Sequence, residues 1–362
     1  MVESRKHRIR ELDLLKAFGI ICMVICHAVF RLGPHKVGYE NDFLFLLGDV
    51  VLGEYAVVAH GFMFAMGVGL VFSKRSTPGR LLRRGLWILL LAYILNFLRY
   101  GIYALAYAMI EGEFLPDTVF ALVSPDILQF AGIALLFTGF LKWLKLGERM
   151  IFAISVVLSL LGGPLAFVFQ GGPLFNYLLG LLVITTREDA CFAFLNWYVF
   201  VGFGMMFGRL LQRTSDEDGF YRRVLWTSGP VAVLYIVLSF IFGNCFLSKG
   251  SWYYAASLPE AIGLLSIDLV LMAGFHFMLK RVDQARLSIP FAMSRNITRI
   301  YVIHWCILGF VDSIFCYLLE MVFPYALIYL FGMALLAASC WISFRLGRRV
   351  NKRSDSYCTI EQ

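Results

Sequence analysis

The sequence has few charged residues and lacks the short motifs of several common enzyme classes. Only 15% of its 362 residues are Asp, Glu, Lys or Arg, against about a quarter in soluble domains. It contains no GxxxxGK(S/T), GxSxG or HExxH, and no GxGxxG beside a strand. These absences argue against P-loop nucleotide hydrolases, α/β-hydrolases, zinc peptidases and dinucleotide-dependent dehydrogenases.

Cysteine is present, but not in arrangements that bind metals or form a disulfide framework. Most of the eight cysteines lie inside apolar runs, where buried thiols behave as small hydrophobic groups. There is no CxxC motif and no Cys/His cluster. The sequence therefore predicts no metal site and no structural disulfide framework.

Apolar residues make up 60% of the chain, and the mean hydropathy is +0.76. Several apolar runs reach about 18 residues or more, which is enough to cross ~30 Å of hydrocarbon as a helix. The predicted fold class is all-α, a polytopic transmembrane bundle of about ten spans that forms a single domain over 1–362. The shorter run 173–185 is predicted to be interfacial or re-entrant. The predicted spans are 12–32, 51–73, 83–107, 124–144, 150–168, 191–211, 225–243, 259–279, 298–319 and 324–345.

The basic residues predict the topology of these spans. With a cytoplasmic N-terminus, the inner segments hold 26 of the 32 Lys and Arg residues and the outer segments hold five, as the positive-inside rule requires. Both termini are then cytoplasmic, with short basic tails at 1–11 and 346–362. The first apolar run is interpreted as a span and not as a cleavable signal peptide. Because the net charge of +8 follows the topology, nucleic acid is not an expected partner.

Two polar residues interrupt the first apolar run, LKAFGIICMVICHAVF. Lys16 and His27 are eleven residues apart, which places them on one helix face about 16 Å apart along the axis. Ionisable groups within spans commonly mark a site or a pathway, and histidine is a common general base. The alternatives are that Lys16 snorkels or pairs with Asp13, and that His27 bonds a neighbouring carbonyl group.

The segment RIRELDLLKAFGIICMVICH resembles the opening of the transmembrane acyltransferase superfamily. This superfamily comprises acyltransferase family 3 proteins and relatives of heparan-α-glucosaminide N-acetyltransferase. Their first helix typically reads LDxxRGxA, with a histidine eleven residues after the arginine. Here Lys16 replaces the arginine and loses its bidentate fork, while the interval to His27 is intact. His27 makes the chain more similar to the bacterial relatives.

The resemblance extends to four later regions in the same order. These are HGFMFAMGVGLVFSKR with the basic run after it, SPDILQFAGIALLF, NWYVFVGFGMMFGRLL and SRNITRIYVIHWCIL. The resemblance implies a membrane enzyme that moves an acyl group, expected to be acetyl, from cytoplasmic acyl-CoA. The implied acceptor is a hydroxyl or amine group of a glycan, glycolipid or other envelope sugar on the outer side.

Site residues are predicted for each step of this reaction. His27 is the predicted general base, and Asp126 is predicted to orient the imidazole or the acceptor, although Ser-Pro-Asp also suits a helix cap. The acceptor-binding candidates are Gln129, His60 and Glu54. The candidates for binding acyl-CoA are Lys16, Arg83, Arg84, Arg299 and His304.

Structural explanations stand beside these predictions. His304 also suits hydrogen bonding between helices. His60, Glu54, Asn96, Arg99, Glu260 and Asp268 are all expected inside or near spans, where some of them should pair with one another. The sequence alone does not indicate which residues pair.

A transporter or permease for a sugar or acylated metabolite, with an intramembrane His/Asp proton relay, is the alternative function. A membrane scaffold, in which these charges are only structural, is a third. The expected partners are acyl-CoA, the acceptor and the bilayer of a cell membrane, with a homodimer left open. Acetyl-CoA is expected as the donor substrate.

Overall fold

The computed structural model describes residues 8–33, 43–55, 58–112, 121–187, 190–319 and 321–358. Within these ranges the regular elements are helices, and no strand occurs. Three π-helical segments and three 3₁₀ turns accompany the α-helices. The π-helical segments are Leu47–Tyr55, Phe97–Gly101 and Asp312–Leu318. The 3₁₀ turns are Lys249–Ser251, Tyr253–Ala255 and Gln284–Leu287.

The α-helices are numbered in chain order. The first seven are α1 (Arg10–Leu32), α2 (Phe43–Leu46), α3 (Ala59–Phe72), α4 (Pro78–Asn96), α5 (Ile102–Glu111), α6 (Ile127–Trp143) and α7 (Glu148–Leu165). The others are α8 (Pro173–Gly180), α9 (Phe194–Arg213), α10 (Glu217–Phe242), α11 (Leu258–Leu279), α12 (Ser288–Arg295), α13 (Ile297–Val311) and α14 (Tyr325–Cys358).

The predicted all-α membrane architecture is confirmed. Eight helices within the described ranges are long and apolar enough to cross a membrane. The two other predicted spans correspond to α3 and α6, which have only 14 and 17 residues. Helix α8 has 8 residues, far too few to span, in agreement with the interpretation of 173–185. The side of the membrane on which each terminus lies remains a prediction.

The chain forms two compact units, each built from separate stretches of sequence. The first unit contains residues 1–15 and 59–278, and the second contains 16–58 and 279–362. The backbone leaves the first unit within α1 and returns to it at α3. The prediction of one domain over 1–362 stays a prediction.

Small residues set the helix packing of the first unit. A Cβ atom on Gly67 of α3 would lie 2.1 Å from the carbonyl oxygen of Val201 in α9, and one on Gly204 would lie 2.2 Å from that of Phe64. These helices therefore touch through their backbones, as small residues allow in membrane bundles. Gly69 has open space around it, so only the first glycine of the Gly67-x-Gly69 pair is required for packing.

The second unit packs α14 against the part of α1 that follows Leu15. A Cβ atom on Gly332 would lie 3.4 Å from both Ile25 and Ala28 of α1. The hydroxyl group of Tyr329 donates a hydrogen bond of 2.7 Å to the carbonyl oxygen of Leu44. These contacts hold α1, α2 and α14 together within the second unit, to which Lys16 and His27 also belong.

Candidate active site

Two histidines from distant parts of the sequence meet in the second unit. The Nδ1 atom of His27 in α1 lies 2.9 Å from the Nε2 atom of His304 in α13. Their rings are nearly parallel, with centroids 5.2 Å apart. His304 is fully buried, whereas His27 is half-buried. The pair therefore has one member that only the protein contacts and one that other molecules can approach.

A backbone carbonyl group fixes where the hydrogen atoms of this pair lie. The Nδ1 atom of His304 is 3.0 Å from the carbonyl oxygen of Ile300. A carbonyl oxygen only accepts hydrogen bonds, so this Nδ1 must carry the hydrogen and the Nε2 atom of a neutral His304 must accept. His27 then donates from Nδ1, which leaves its Nε2 atom as the basic nitrogen of the pair. The sequence predicts that His304 binds the donor substrate, whereas in the structure its Nε2 atom lies 2.9 Å from Nδ1 of His27.

Two further features surround the pair. The indole ring of Trp305 lies 4.5 Å from the ring of His27, and an aromatic face stabilises an adjacent cation. One turn beyond His27 on α1, Arg31 forms an ion pair with Asp312. Asp312 begins a π-helical segment, and such segments are frequent at functional sites. The second unit thus combines a histidine pair, an adjacent tryptophan ring and an ion pair.

The chain matches a known protein family over most of its length. A sequence model of acyltransferase family 3, described as an acyltransferase domain, matches residues 9–345. The chain belongs to this family. A search of curated proteins gives no match. The match and the apolar helices together establish an integral membrane acyltransferase.

The predicted ligands for the donor of this acyltransferase lie in both units. In the second unit, Lys16 is half-buried on the same helix as His27. Arg299 is exposed, and its guanidinium group donates a 3.0 Å hydrogen bond to the Oδ1 atom of Asn296. In the first unit, Arg83 and Arg84 are exposed near the start of α4. The structure therefore leaves the guanidinium groups of all three arginines accessible.

Asp126 has structural partners in the first unit. Its carboxylate accepts a 2.7 Å hydrogen bond from the backbone N–H of Ile127 and caps α6. It also accepts a hydrogen bond of 2.8 Å from Arg99, which lies in a π-helical segment. Arg99 in turn donates to the Oδ1 atom of Asn96 at 3.2 Å. The helix-cap interpretation of Asp126 is thus correct, and a catalytic role for it remains a prediction.

Gln129 is an acceptor-binding candidate whose buried amide atoms have no hydrogen-bond partner among the described residues. It lies one turn after Asp126 and is 1% exposed. Neither the oxygen nor the nitrogen of its amide has a hydrogen-bond partner among the described residues. Buried polar atoms are rarely left unsatisfied in this way, so this amide is suited to hydrogen-bond a ligand.

The thiol of Cys191, which precedes α9, is affected by the negative charge of Asp126. Burial, together with the negative charge of Asp126, raises the pKa of the Cys191 thiol to about 12, and Arg99 opposes this shift.

The other two acceptor-binding candidates have different outcomes. His60 is fully buried in the first unit, and its Nδ1 atom lies 3.0 Å from the carboxylate of Asp268, which is also fully buried. This pairing is one that sequence analysis could not assign. Glu260, which was also expected inside a span, accepts a hydrogen bond from the hydroxyl group of Tyr235. The side chain of Glu54 lies outside the described residues.

One polar cluster in the first unit was not predicted from the sequence. His276 contacts Glu11 from Nδ1 at 2.8 Å and Asp218 from Nε2 at 2.9 Å, and it stacks on Tyr221 with ring centroids 4.2 Å apart. These contacts join the starts of α1 and α10 to the end of α11. An ionisable residue in an apolar run was the available signal, the same one that selected His27.

The described residues contain no group of three or more His, Cys, Asp or Glu side chains that could hold a metal ion.

The Arg31–Asp312 pair was not predicted from the sequence. Arg31 contributed there only as one of the five basic residues of the outer segments. Its position four residues after His27 placed it on the same helix face. That spacing was visible in the sequence.

Proposed function

We propose that the protein transfers an acyl group, taken to be acetyl, from cytoplasmic acyl-CoA to an envelope acceptor on the outer side of a cell membrane. The acceptor group is a hydroxyl or amine of a glycan, glycolipid or related sugar. The observation that carries this proposal is the His27–His304 pair, with its tautomers fixed by the carbonyl group of Ile300. Membership of the acyltransferase family favours this reaction over transport.

His27 acts as the general base in this mechanism. Its Nε2 atom takes the proton of the acceptor hydroxyl as the hydroxyl oxygen attacks the thioester carbonyl carbon. The new carbon–oxygen bond forms, the carbon–sulfur bond breaks, and the proton on His27 passes to the departing thiolate. The products are the acyl ester and free coenzyme A, and His27 returns to its starting form.

His304 is a positioning residue in this mechanism. It accepts the hydrogen on Nδ1 of His27 at 2.9 Å and so selects the tautomer whose Nε2 atom is basic. The same hydrogen bond holds the imidazole ring in one orientation. When His27 is protonated, Trp305 lies close enough to stabilise the cation.

The donor end of the site requires cations, because coenzyme A carries phosphate groups. Lys16 lies about 16 Å from His27 along α1, a distance that an extended phosphopantetheine arm can cover. Arg299, also in the second unit, supplies a second accessible positive charge. Arg83 and Arg84 of the first unit are further candidates, since guanidinium groups bind phosphate in a bidentate manner.

Gln129 is the proposed acceptor ligand in the first unit, because its buried amide atoms have no described partner. An amide both donates and accepts, which suits a sugar hydroxyl group. His60 and Glu54 remain weaker candidates for this role.

Purified protein in liposomes, given radiolabelled acetyl-CoA and a panel of sugar acceptors, tests the proposal. We expect transfer by the wild type and a loss of about 10²–10⁴-fold in kcat for His27→Ala, the range for removal of a general base. Binding of coenzyme A should be retained, since the change leaves Lys16 and Arg299 in place.

A matched control is Phe30→Ala, three residues further along the same helix at a site that is 51% exposed. This variant should retain wild-type turnover. If the wild-type protein neither binds coenzyme A nor consumes the thioester, the proposed acyltransferase function is refuted. Turnover that survives in His27→Ala would move the base to another residue.

A further inference from the structure

The second unit contains an apolar cavity close to the histidine pair. Its volume is ≈ 250 Å³, and every lining side chain is apolar. The lining residues are Leu32, Val311, Phe315, Phe323, Leu327, Ile328 and Phe331. An apolar lining of this kind binds hydrocarbon and offers no hydrogen-bond donor to a sugar.

The cavity is lined in part by residues of the two helices that carry His27 and His304, which are α1 and α13. Leu32 follows His27 by five residues on α1, an axial distance of about 8 Å. Val311 follows His304 by seven residues on α13, about 10 Å along that helix. The Arg31–Asp312 ion pair is next to both lining residues in the sequence. The ion pair is therefore adjacent to the cavity lining, and Arg31 lies between His27 and Leu32 along α1.

The outer edge of the cavity is continuous with an exposed apolar surface. Leu327 and Phe315, which line the cavity, are 47% and 36% exposed. Phe310, Val322 and Leu330 nearby in the sequence are more exposed still. In a membrane protein such a surface faces hydrocarbon, so an occupant enters the cavity from the bilayer and not from water.

We propose that this cavity holds the hydrocarbon tail of an amphiphilic acceptor, whose reactive head group lies between the Arg31–Asp312 pair and His27. The proposal rests on the proposed function and names its acceptor class, which is lipid-linked and not a free sugar. The ion pair provides both a donor and an acceptor for the polar head group. Ordering the tail in the cavity brings the reacting hydroxyl to the base without a diffusional search.

The test uses the full chain in phospholipid nanodiscs and a dodecyl alcohol with a diazirine at the chain end. Photolysis and peptide mapping locate the tail, and radiolabelled acetyl-CoA reports acetyl transfer to the same alcohol. We expect labelling of the peptides that carry Leu32 and residues 311–331. Leu327→Trp fills the rim of the cavity and should reduce this labelling and the transfer about tenfold.

Leu330→Trp is the matched control, because it makes the same change on the same helix at a position that does not line the cavity. It should label and turn over like the wild type. Labelling outside the cavity, or equal labelling of both variants, would overturn the proposal. So would equal labelling by a diazirine phospholipid in competition with the alcohol, since the occupant would then be bulk lipid.

The two proposals fail in different ways. Cavity labelling that depends on Leu327, without transfer to any acceptor, would refute the acyl-transfer function and leave the tail site standing. Transfer to free sugars at the wild-type rate in Leu327→Trp would refute the lipid-linked acceptor and leave the function standing.

Discussion

Each compact unit contains a pair of polar side chains with a fully buried histidine, and the two pairs differ in the residue that this histidine contacts. In the first unit His60 contacts the carboxylate of Asp268, and both side chains are 0% exposed. In the second unit His27 contacts the imidazole of His304, and His27 is half-buried. One pair is enclosed on every side, while the other has a member that remains accessible.

From this difference we infer that the partner of an intramembrane histidine, as well as its burial, affects whether the imidazole can act as a base. Asp268 satisfies His60 within the protein core, so the pair resembles a buried structural contact whose removal is costly. His304 donates to the carbonyl group of Ile300 and can only accept from His27 when neutral. This arrangement leaves a basic nitrogen on His27, which the His60 pair does not offer to a substrate.

The strongest test of this comparison removes the carboxylate of the enclosed pair. Asp268→Ala leaves His60 without its buried partner, and we expect a loss of about 3–5 kcal/mol in the free energy of unfolding. Thermal unfolding in detergent micelles measures the loss. The double variant His60→Leu/Asp268→Leu should recover most of it, because it removes both polar groups. If Asp268→Ala instead unfolds at the wild-type temperature but has no turnover, the His60–Asp268 pair takes part in the reaction.

A second test breaks the hydrogen bond between the two histidines of the other pair. His304→Leu removes the acceptor for His27, and we expect kcat to fall about 10²-fold through misorientation of the base. The KM for acetyl-CoA should stay near its wild-type value. His304→Gln restores an acceptor and should recover part of the rate. A rise in KM without a fall in kcat would return His304 to the donor-binding role predicted from the sequence.

The smallest expected effect is that of changing Asp126, whose carboxylate caps α6 and binds Arg99 within the first unit. Asp126→Asn keeps the helix-capping group and removes the charge next to Arg99, so we expect to lose about 1 kcal/mol of stability. Turnover should change little, because the carboxylate already accepts hydrogen bonds from Arg99 and from the backbone N–H of Ile127 at the start of α6. A large loss of kcat with a normal unfolding curve would establish Asp126 as a catalytic residue.

Local patterns account for what could be predicted. The length of the apolar runs predicted the helical membrane fold, and helical periodicity placed Lys16 and His27 on one face of α1. Boundaries were less predictable: the span expected at 51–73 begins at Ala59 and follows a π-helical segment. Hydropathy does not distinguish π-helical from α-helical winding, since both suit apolar residues.

Hydropathy and helix geometry alone predict a helical membrane protein with a histidine eleven residues after a lysine. Both properties depend on neighbouring residues, through side-chain hydropathy and the regular rise of a helix. The pairing of His27 with His304, 277 residues away, and of His60 with Asp268 is visible only in three dimensions. Pairing between distant helices depends on side-chain packing and backbone approach in three dimensions, which helical periodicity does not encode.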